Sequence, residues 1–367
     1  MALALSLGQR GQGCVWPNPA VGCVIVKGTR IVGRGWTQPG GRPHAEAMAL
    51  EQAGVLAQQA TAFVTLEPCA HHGATPPCAE ALIAAGIARC VVAITDPDPR
   101  VSGKGITKLQ EAGIEVSAGC QAKEALVAHR GFFSRLQNGR PRVTLKLATS
   151  FDGRIATVSG ESQWITGADA RRDVHGLRAC HDAVLVGGGT ARADNPSLNV
   201  RGLGLVRQPI RIVASRHLDF DAPDLQASRD VAPLWLCHGP QARVSGVWQS
   251  QCDALLQVPL APDGQLDLAV LMQALAKKGL TSVLCEGGGQ LAASLLRAGL
   301  VDDVILYTAG LALGADGLAG LGDLALSHLH MAPRFALISA RKIGPDIRQD
   351  HMEKTWTTFG WEVKYAP

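Results

Sequence analysis

Three residues whose side chains commonly bind transition metals stand beside predicted helix starts or strand ends. His44 opens a helical stretch after the turn at residues 39–43, Cys69 closes a predicted strand, and Cys78 follows a Pro-Pro pair at another helix start. One histidine and two cysteines fill three positions of tetrahedral zinc and leave the fourth for water, which is typical of a catalytic site. The sequence therefore predicts one Zn²⁺ per chain at His44, Cys69 and Cys78.

A carboxylate two residues after the histidine completes a reactive centre. Zinc lowers the pKa of a bound water toward ~7, and a non-ligating carboxylate must then carry the proton to the departing group. Glu46 is in position for that role, and the order H-x-E…P-C…C is typical of zinc deaminases that act on nucleobases. Each cysteine taken singly is explained as well by burial in a core, but the ordered set favours a metal site.

The spacing of the two cysteines departs from the usual deaminase signature. Eight residues separate Cys69 from Cys78, where that signature has two, and the insert carries His71 and His72. Because the fourth zinc position must stay open for water, we predict that His71 contacts substrate and that His72 is structural.

Two glycine-rich turns occur farther along the chain, each between a predicted strand and a predicted helix. Gly187-Gly188-Gly189-Thr190 follows a strand at residues 183–186, and Gly287-Gly288-Gly289 precedes a helix at residues 290–298. Bare backbone at such turns approaches phosphate closely, and residues 287–292 fit a loose dinucleotide-binding pattern. A purely structural turn fits about as well, and the acid expected ~20 residues later is not in place, so a standard Rossmann half is not predicted. The sequence leaves open whether the two turns converge.

Several longer segments together resemble the family of bifunctional riboflavin-biosynthesis deaminase/reductases. In the first third of the chain they are residues 17–22 (PNPAVG), 44–46 (HAE), 65–78 (TLEPCAHHGATPPC) and 96–99 (DPDP). In the remainder they are residues 146–153 (KLATSFDG), 161–166 (ESQWIT) and 193–198 (ADNPSL). The resemblance covers nearly the whole chain, and the long insert between the cysteines separates this family from other nucleobase deaminases.

For the first domain, the resemblance implies zinc at the three residues named above, with Glu46 as the proton shuttle and Asn18 helping to hold the pyrimidine. Many members carry Lys or Arg where this chain has Ala74. If that basic side chain assists binding of the substrate phosphate, another group must replace it here, and we predict Lys104.

For the rest of the chain, the resemblance implies a fold like that of dihydrofolate reductase and the use of NADPH. The implied NADPH contacts are Ala148, Trp164, Thr190, Asp194, Ser215, Gly288, Gly289, Gln290, Leu291, Ala292, Ala293 and Ser294. The implied substrate contacts are Ser162, Arg178, Leu198, Arg201 and Glu286.

Some of these residues have a chemical reason for their role. Arg178 and Arg201 can each place a fork of donors on a phosphate, whereas Arg171 and Arg172 are interpreted as a solvated helix face. Asp194 is the candidate acid for the reduction. A turn cap remains the alternative for Asp194, as does a core aromatic for Trp164.

The resemblance implies a two-step enzyme. Zinc-bound hydroxide would deaminate 2,5-diamino-6-(5-phosphoribosylamino)pyrimidin-4-one, and NADPH would then reduce the ribosyl chain of 5-amino-6-(5-phosphoribosylamino)uracil to ribityl. The alternative is a nucleobase deaminase whose second domain is a non-catalytic, dinucleotide-binding-like module. A zinc-stabilised assembly protein would need a fourth protein ligand, for which only His71 or His72 is at hand.

Alternating strands and helices must position these residues. The first third predicts strands at residues 21–26, 62–66, 90–94 and 114–116, and helices at 45–59, 79–85, 106–112 and 123–136. The remainder predicts strands at 143–148, 183–186, 210–213, 234–237, 282–285 and 303–307, with residues 219–265 the least certain. Thr166 and Asp169 form a capping-box-like pair that predicts a helix start near residue 166.

The turn at residues 138–141 divides the predicted elements into two domains. We predict a deaminase domain at residues 1–139 and a reductase domain at residues 140–367. The fold class is α/β, with an N-terminal cytidine-deaminase-like three-layer domain and a C-terminal dihydrofolate-reductase-like α/β domain.

The composition excludes several other classes of protein. The chain has 367 residues and a net charge of only +4, with 4% aromatics, which argues against a nucleic-acid binder. Apolar residues make up 47% of the chain, so a core is easily built, and no apolar run approaches the ~18 residues of a membrane span. Residues 1–7 lack the features of an export signal, so the ten cysteines are expected in a reducing cytoplasm. Membership of the family would also imply a homo-oligomer.

Overall fold

The computed structural model describes residues 1–71, 76–98, 102–205 and 207–353. The chain forms two compact units, one made of residues 1–141 with 276–281 and the other of residues 142–275 with those from 282 onward. Both units are mixed α/β, as the sequence predicts. In the described part of the chain, no helix combines the length and the apolar character needed to cross a membrane.

The first unit is built on a five-stranded sheet. Its strands are β1 (Gly22–Lys27), β2 (Arg30–Trp36), β3 (Thr61–Val64), β4 (Arg89–Val92) and β5 (Glu115–Ala118), in the order β2-β1-β3-β4-β5. Strand β1 pairs antiparallel with β2 and β3, and β3, β4 and β5 are parallel. The carboxyl ends of β3 and β4 therefore lie at one edge of the sheet, just before the segment that carries Cys69.

Helices cover both faces of this sheet. They are α1 (Ala2–Gly8), α2 (Ala45–Ala53), α3 (Cys78–Ala84), α4 (Lys104–Glu111) and α5 (Ala122–Gln137). Helix α2 packs in the main core with Cys23 and Ile25, whereas α1 packs with Val24, whose side chain points to the opposite face of β1. The arrangement is the predicted three-layer α/β/α architecture.

Glycines in β2 allow helix α2 to pack directly on the strand. A Cβ on Gly33 would overlap the carbonyl oxygen of Ala49, and a Cβ on Gly35 would overlap that of Ala45. The helix backbone therefore contacts the strand backbone at these two positions, which fixes the depth of the α2 turn that carries Glu46.

The second unit contains a nine-stranded sheet. Its strands are β6 (Arg142–Ser150), β8 (Ala183–Gly187), β9 (Ile210–Ser215), β10 (Leu234–His238), β11 (Ala254–Gln257), β12 (Ser282–Cys285), β13 (Asp303–Ala309), β15 (Phe335–Ile343) and β16 (Asp346–Glu353); β7 (Arg154–Ala156) and β14 (Leu318–Ala319) form a separate pair. The order is β11-β10-β9-β8-β12-β6-β13-β16-β15, and the first seven strands are parallel. The carboxyl ends of seven strands thus meet at one edge, where open α/β sheets bind ligands.

Helices α6 to α11 follow strands of this sheet along the chain. They are α6 (Ala168–Ala179), α7 (Gly188–Asp194), α8 (Pro223–Ala227), α9 (Gly246–Gln251), α10 (Leu268–Lys277) and α11 (Gly289–Arg297). Apolar residues from α7, α8 and α9 pack against strands β8, β9 and β10 in one core cluster. Helices α7 and α11 are the two that begin at the glycine-rich turns.

Every predicted strand is present with small shifts of its ends, but other elements differ from the sequence prediction. Helix α6 begins at Ala168 with Gly167 as its N-cap and no side-chain cap, so the predicted Thr166 capping box is wrong. The Gly167 N–H instead donates to Asp346 Oδ2 at 2.7 Å. The sequence prediction also missed α1, β2, β11 and the β15–β16 hairpin.

Candidate functional site

The three predicted zinc ligands come together in the first unit. His44 is the N-cap of α2, and its Nδ1 lies 3.2 Å from Cys78 Sγ and 3.7 Å from Cys69 Sγ. The three donor atoms all lie within 4.8 Å of one another. A tetrahedral ion with bonds of ~2.0–2.3 Å holds its donors about 3.3–3.8 Å apart, so this set fits zinc.

Hydrogen bonding within the cluster favours a thiolate at Cys69. The Cys78 thiol and backbone N–H both donate to Cys69 Sγ, the latter at 3.3 Å, and with His44 they lower the pKa of Cys69 to about 4 in spite of burial. The shared hydrogen bond with Cys69 raises the pKa of both His44 and Cys78, and burial adds to the rise at Cys78. The thiolate is the form of cysteine that binds metal.

Glu46 lies in the first turn of α2 and is 3% exposed. Burial, followed by the neighbouring Cys69 charge, raises the pKa of Glu46 to about 7. A carboxyl group with that pKa gains and loses a proton near neutral pH, which is the property required of a general acid–base.

The turn that carries His44 is held by Asn18. The Asn18 Nδ2 donates to the Gly41 carbonyl oxygen at 3.2 Å, and a Cβ on Gly41 would overlap the Asn18 amide. Gly41 also has φ +84°, in the left-handed region that favours glycine. Asn18, which is predicted to hold the pyrimidine, therefore packs against Gly41, three residues before His44 in the sequence.

The remaining predictions for the first domain fall in or near the segment after Cys69. His71 is exposed two residues after that cysteine, and Lys104 is exposed at the first position of α4. His72 and Ala74 lie outside the described residues.

The sequence analysis missed the role of Glu67, which is 3% exposed and lies two residues before Cys69. Its Oε1 accepts hydrogen bonds from the backbone N–H groups of Gly105 (2.8 Å) and Ile106 (3.3 Å). Its Oε2 accepts from those of Gly103 (2.9 Å) and Asp96 (3.2 Å). One carboxylate thus ties the start of α4 and the loop before it to the strand end beside the zinc ligands.

In the second unit the two glycine turns converge, which the sequence left open. The Gly288 N–H donates to Thr190 Oγ1 at 3.0 Å. A Cβ on Gly188 would lie 2.6 Å from Ser215 Oγ, whereas a Cβ on Gly189 would meet nothing within 4 Å. Three of the predicted NADPH contacts therefore lie together at one edge of the sheet, with open backbone between them: Thr190, Ser215 and Gly288. We call this surface the glycine cradle, and it fits a phosphate group of a dinucleotide.

Three other predicted contacts in this unit can offer a ligand only their backbone. The side chains of Ala292 and Ala293, in α11, and of Leu198 are buried in the core. Any contact that these three residues make with a ligand is therefore a backbone contact. Ala148, Gln290, Leu291 and Ser294 lie on β6 and α11 at the same edge.

Arg178 and Glu286 form a buried ion pair. Arg178 Nε and Nη2 donate to the two carboxylate oxygens of Glu286 at 2.6 and 3.0 Å, and Nη1 donates to the Asn199 carbonyl oxygen at 2.9 Å. Although burial alone would raise it, the pKa of Glu286 lies below its usual range because of Arg178. Glu286 therefore occupies the Nε–Nη2 side of the Arg178 guanidinium, and a contact of Arg178 with substrate stays a prediction.

Lys146 is a second residue that the sequence analysis did not assign to the site. Burial and the Arg178 cation lower the pKa of Lys146, and the carboxylates of Glu286 and Asp194 oppose this. Asp194, the last residue of α7, accepts a hydrogen bond from Ser162 Oγ at 3.3 Å. Loss of surrounding water raises the pKa of Asp194 in spite of Ser162 and Lys146. Titratable groups of opposite charge thus lie together beside the glycine cradle.

Two neighbouring cavities, of about 630 and 400 Å³, open at the start of α6. Trp164 lines the larger one; it is 66% exposed, with the Arg171 guanidinium 4.5 Å from its ring centroid, so the core-aromatic alternative is wrong. The smaller cavity is lined by Arg171, Arg172, His175 and Arg201, together with small residues. Arg171 and Arg172 therefore face an open, strongly basic cavity, where the sequence analysis had them on a solvated helix face.

Two family models match the chain. The zinc-binding region of cytidine and deoxycytidylate deaminases matches residues 1–94, and the RibD C-terminal domain matches residues 141–348. The riboflavin biosynthesis protein RibD of Escherichia coli K12 is 46% identical over 360 residues, covering 95% of this chain and 96% of that protein. The RibD of Bacillus amyloliquefaciens is 38% identical, with 95% and 94% covered. The chain belongs to the RibD family.

Solved structures agree with this assignment. Acinetobacter baumannii RibD has a TM-score of 0.85 at 39% identity and covers 96% of this chain, with 97% of its own chain matched. The diaminohydroxyphosphoribosylaminopyrimidine deaminase/5-amino-6-(5-phosphoribosylamino)uracil reductase of Thermotoga maritima has a TM-score of 0.83 at 32% identity, with the same coverage.

The predicted fold class and function are confirmed by these matches. The chain is a bifunctional enzyme of riboflavin biosynthesis, with a cytidine-deaminase-like zinc domain and a RibD-type reductase domain, and its cofactors are zinc and NADPH. A second domain without catalytic activity, the alternative considered above, is not supported.

Proposed function

We propose that residues 1–139 deaminate 2,5-diamino-6-(5-phosphoribosylamino)pyrimidin-4-one and that residues 140–367 reduce the ribosyl chain of the product to ribityl. The division between the two compact units after residue 141 supports these bounds. The activities printed for the Thermotoga maritima relative support the substrates. The observation that carries the deaminase assignment is the His44–Cys69–Cys78 cluster beside buried Glu46.

In the deaminase site His44, Cys69 and Cys78 would hold zinc. Zinc supplies a Lewis acid that makes water a nucleophile near neutral pH. Glu46 would take a proton from the attacking water and deliver it to the departing amine, so that a hydroxyl group replaces the amino group on the ring carbon as the C–N bond breaks and ammonia leaves. Asn18 holds the pyrimidine ring.

In the reductase site the glycine turns, with Thr190 and Ser215, bind the dinucleotide. NADPH bound there would supply a hydride for the ribosyl C1 of the ring-opened imine, in which the bond from C1 to the pyrimidine nitrogen is kept. Asp194 donates the balancing proton, and its raised pKa favours the protonated form that this role requires. Ser162 donates a hydrogen bond that holds this carboxyl in place.

The basic cavity gives the substrate phosphate a place in the second unit. Arg201 donates its backbone N–H to His175 Nδ1 at 3.3 Å, which leaves the His175 Nε2 to carry the imidazole proton. Arg171, Arg172 and Arg201 surround this histidine at the cavity wall. Three guanidinium groups supply ample donors for one phosphate, so Arg178 is not needed for that contact.

Two variants test the deaminase assignment. Glu46→Gln should lower the rate of ammonia release about 10²- to 10⁴-fold and leave the zinc content unchanged. Glu51→Gln, exposed on the same helix, is the matched control and should react like wild type. A Glu46→Gln protein that deaminates at the wild-type rate would refute the assignment.

The reductase step should follow deamination. With wild-type protein, loss of NADPH absorbance should begin only once deaminated product is present, and Asp194→Ala should abolish it without affecting ammonia release. Asp230→Ala, an exposed acid after α8, should change neither activity. NADPH oxidation that persists in Asp194→Ala would remove that residue from the chemistry.

The proposed partner is a phosphoribosylated pyrimidine, with no nucleic acid and no membrane involved. The small net charge of +4 supports this, because nucleic-acid binders carry basic clusters. We further propose a cytoplasmic homo-oligomer. Sedimentation of the purified protein tests the oligomeric state.

A further inference from the structure

The carboxyl end of β9 carries two basic side chains in succession, Arg216 and His217. Arg216 Nη1 donates to the Gly264 carbonyl oxygen at 2.9 Å, and its Nε donates to His217 Nε2 at 2.8 Å. The Arg216 carbonyl oxygen in turn accepts the Gly239 N–H at 3.0 Å. Both side chains are exposed, but these contacts hold the Arg216 guanidinium in one position at the strand end.

The Arg216 side chain lies where one end of a dinucleotide would be if the ligand were bound across the carboxyl ends of the strands. The strand order β9-β8-β12-β6 places β9 three positions from β6, about 14 Å at ~4.8 Å per strand. Lys146, on β6, lies close to Asp194, the proposed proton donor, and the glycine cradle of Gly188 and Gly288 follows β8 and β12. A ligand with its nicotinamide beside β6 and its pyrophosphate at the cradle places its adenosine at β9.

The charge at the end of β9 is suited to a phosphate and not to a ribose hydroxyl. An NAD site places a carboxylate on the adenosine 2′-hydroxyl, whereas an NADP site places an arginine near the 2′-phosphate. Ser215 and Arg216 occupy the strand end here, and Asp219, the next acid along the chain, already accepts a hydrogen bond from Arg192 at 2.8 Å. The arginine is thus available and the nearest carboxylate is paired.

We propose that Arg216 binds the 2′-phosphate of NADPH and is the residue that makes this reductase prefer NADPH to NADH. His217 positions the guanidinium through Nε, and the Gly264 carbonyl oxygen fixes Nη1. The proposal rests on the proposed placement of NADPH at Thr190, Ser215 and Gly288, and it adds the group that distinguishes the two nucleotides.

Binding measurements test the proposal without turnover. Isothermal titration of the full zinc-loaded chain with NADP⁺, NAD⁺ and 2′,5′-ADP should show that Arg216→Ala weakens NADP⁺ and 2′,5′-ADP about 10- to 100-fold, the loss expected for a charge-assisted contact. The Kd of NAD⁺ should change less than about 2-fold. Arg216→Lys keeps the charge without the fork and should fall between wild type and Arg216→Ala.

The controls separate this proposal from the function on which it rests. Arg229→Ala removes an exposed arginine that precedes β10, at the opposite edge of the sheet, and should bind all three ligands like wild type. If Arg216→Ala weakens the binding of NADP⁺ and NAD⁺ equally, or weakens neither, the proposed role of Arg216 is refuted. The proposed NADPH site is unaffected by that result. A wild-type protein that binds neither nucleotide overturns the proposed NADPH site as well. Should Arg216→Ala not fold, Arg216→Lys carries the same comparison.

Discussion

Replacing Glu67 by glutamine tests how the segment beside the zinc ligands is held. The carboxylate accepts four backbone N–H groups, two on each oxygen. Whichever way the glutamine amide turns, its NH₂ group faces two of those donors and leaves them without an acceptor. Each buried donor left without an acceptor costs ~1–3 kcal/mol. We expect a total loss of about 3 kcal/mol, in the lower part of the range for two donors, because the Gly103 N–H is only partly buried.

The loss should appear in the first unit alone. At ~3 °C per kcal/mol for a domain of this size, its unfolding temperature should fall by about 9 °C. Because a two-unit chain does not unfold in one step, the assay is calorimetry combined with residual ammonia-releasing activity after timed heating. Glu111→Gln, exposed at the end of α4, is the matched control.

Zinc content and NADP⁺ binding of both variants should equal those of wild type at 25 °C. An unfolding temperature for Glu67→Gln within about 2 °C of Glu111→Gln would refute the reasoning, because it would mean that the four hydrogen bonds do not hold the loop.

Three further changes probe other parts of the fold. Gly35→Ala drives a Cβ into a helix carbonyl oxygen and should cost at least about 2 kcal/mol in urea unfolding, whereas Gly176→Ala, in α6 with open space around it, should stabilise by ~0.5–1 kcal/mol. Arg178→Met leaves Glu286 buried without its cation and should cost about 3–5 kcal/mol; a loss below 1 kcal/mol would contradict the ion-pair geometry. Burial lowers the pKa of His129 to about 4, below the unfolded value of ~6.5, so its ~3 kcal/mol of stability is present above pH ~6.5 and lost as the pH falls toward 4. His129→Gln should flatten that part of the stability–pH curve.

The sequence predicted the elements whose side chains follow a clear period. Strands such as β8 and β12 are continuous apolar runs because parallel strands are buried on both faces. Strand β2 was missed because its glycines, which bring α2 onto the sheet, leave only Ile31, Val32 and Trp36 as apolar residues. The β15–β16 hairpin was missed for a related reason, since most of β15 is exposed and alternates poorly.

Site residues were predictable where chemistry and local order coincide. Two of the zinc ligands, His44 and Cys78, stand at helix starts, and Cys69 follows a strand, so all three are recognisable in the sequence. Lys146 and Glu67 act through partners 29 to 140 residues away, and only the tertiary fold brings those partners together. Arg178 and Glu286 were both named as substrate contacts, but their mutual pairing joins residues 108 positions apart and depends on the tertiary fold.

The ten cysteines show how structure selects a metal ligand. Cys23 and Cys90 lie in the same core as Ala45 and Ala49 of α2, and burial raises the pKa of both thiols, that of Cys90 to about 12. The hydrogen bond to Cys69 and burial raise the pKa of Cys78 as well, so a raised pKa alone does not separate the core thiols from the zinc ligands. Cys69 differs because a backbone N–H and a second thiol donate to its sulfur. The convergence of Cys69 and Cys78 on His44, with donor atoms within 4.8 Å of one another, and not the number of nearby cysteines, therefore selects the sulfurs that bind zinc.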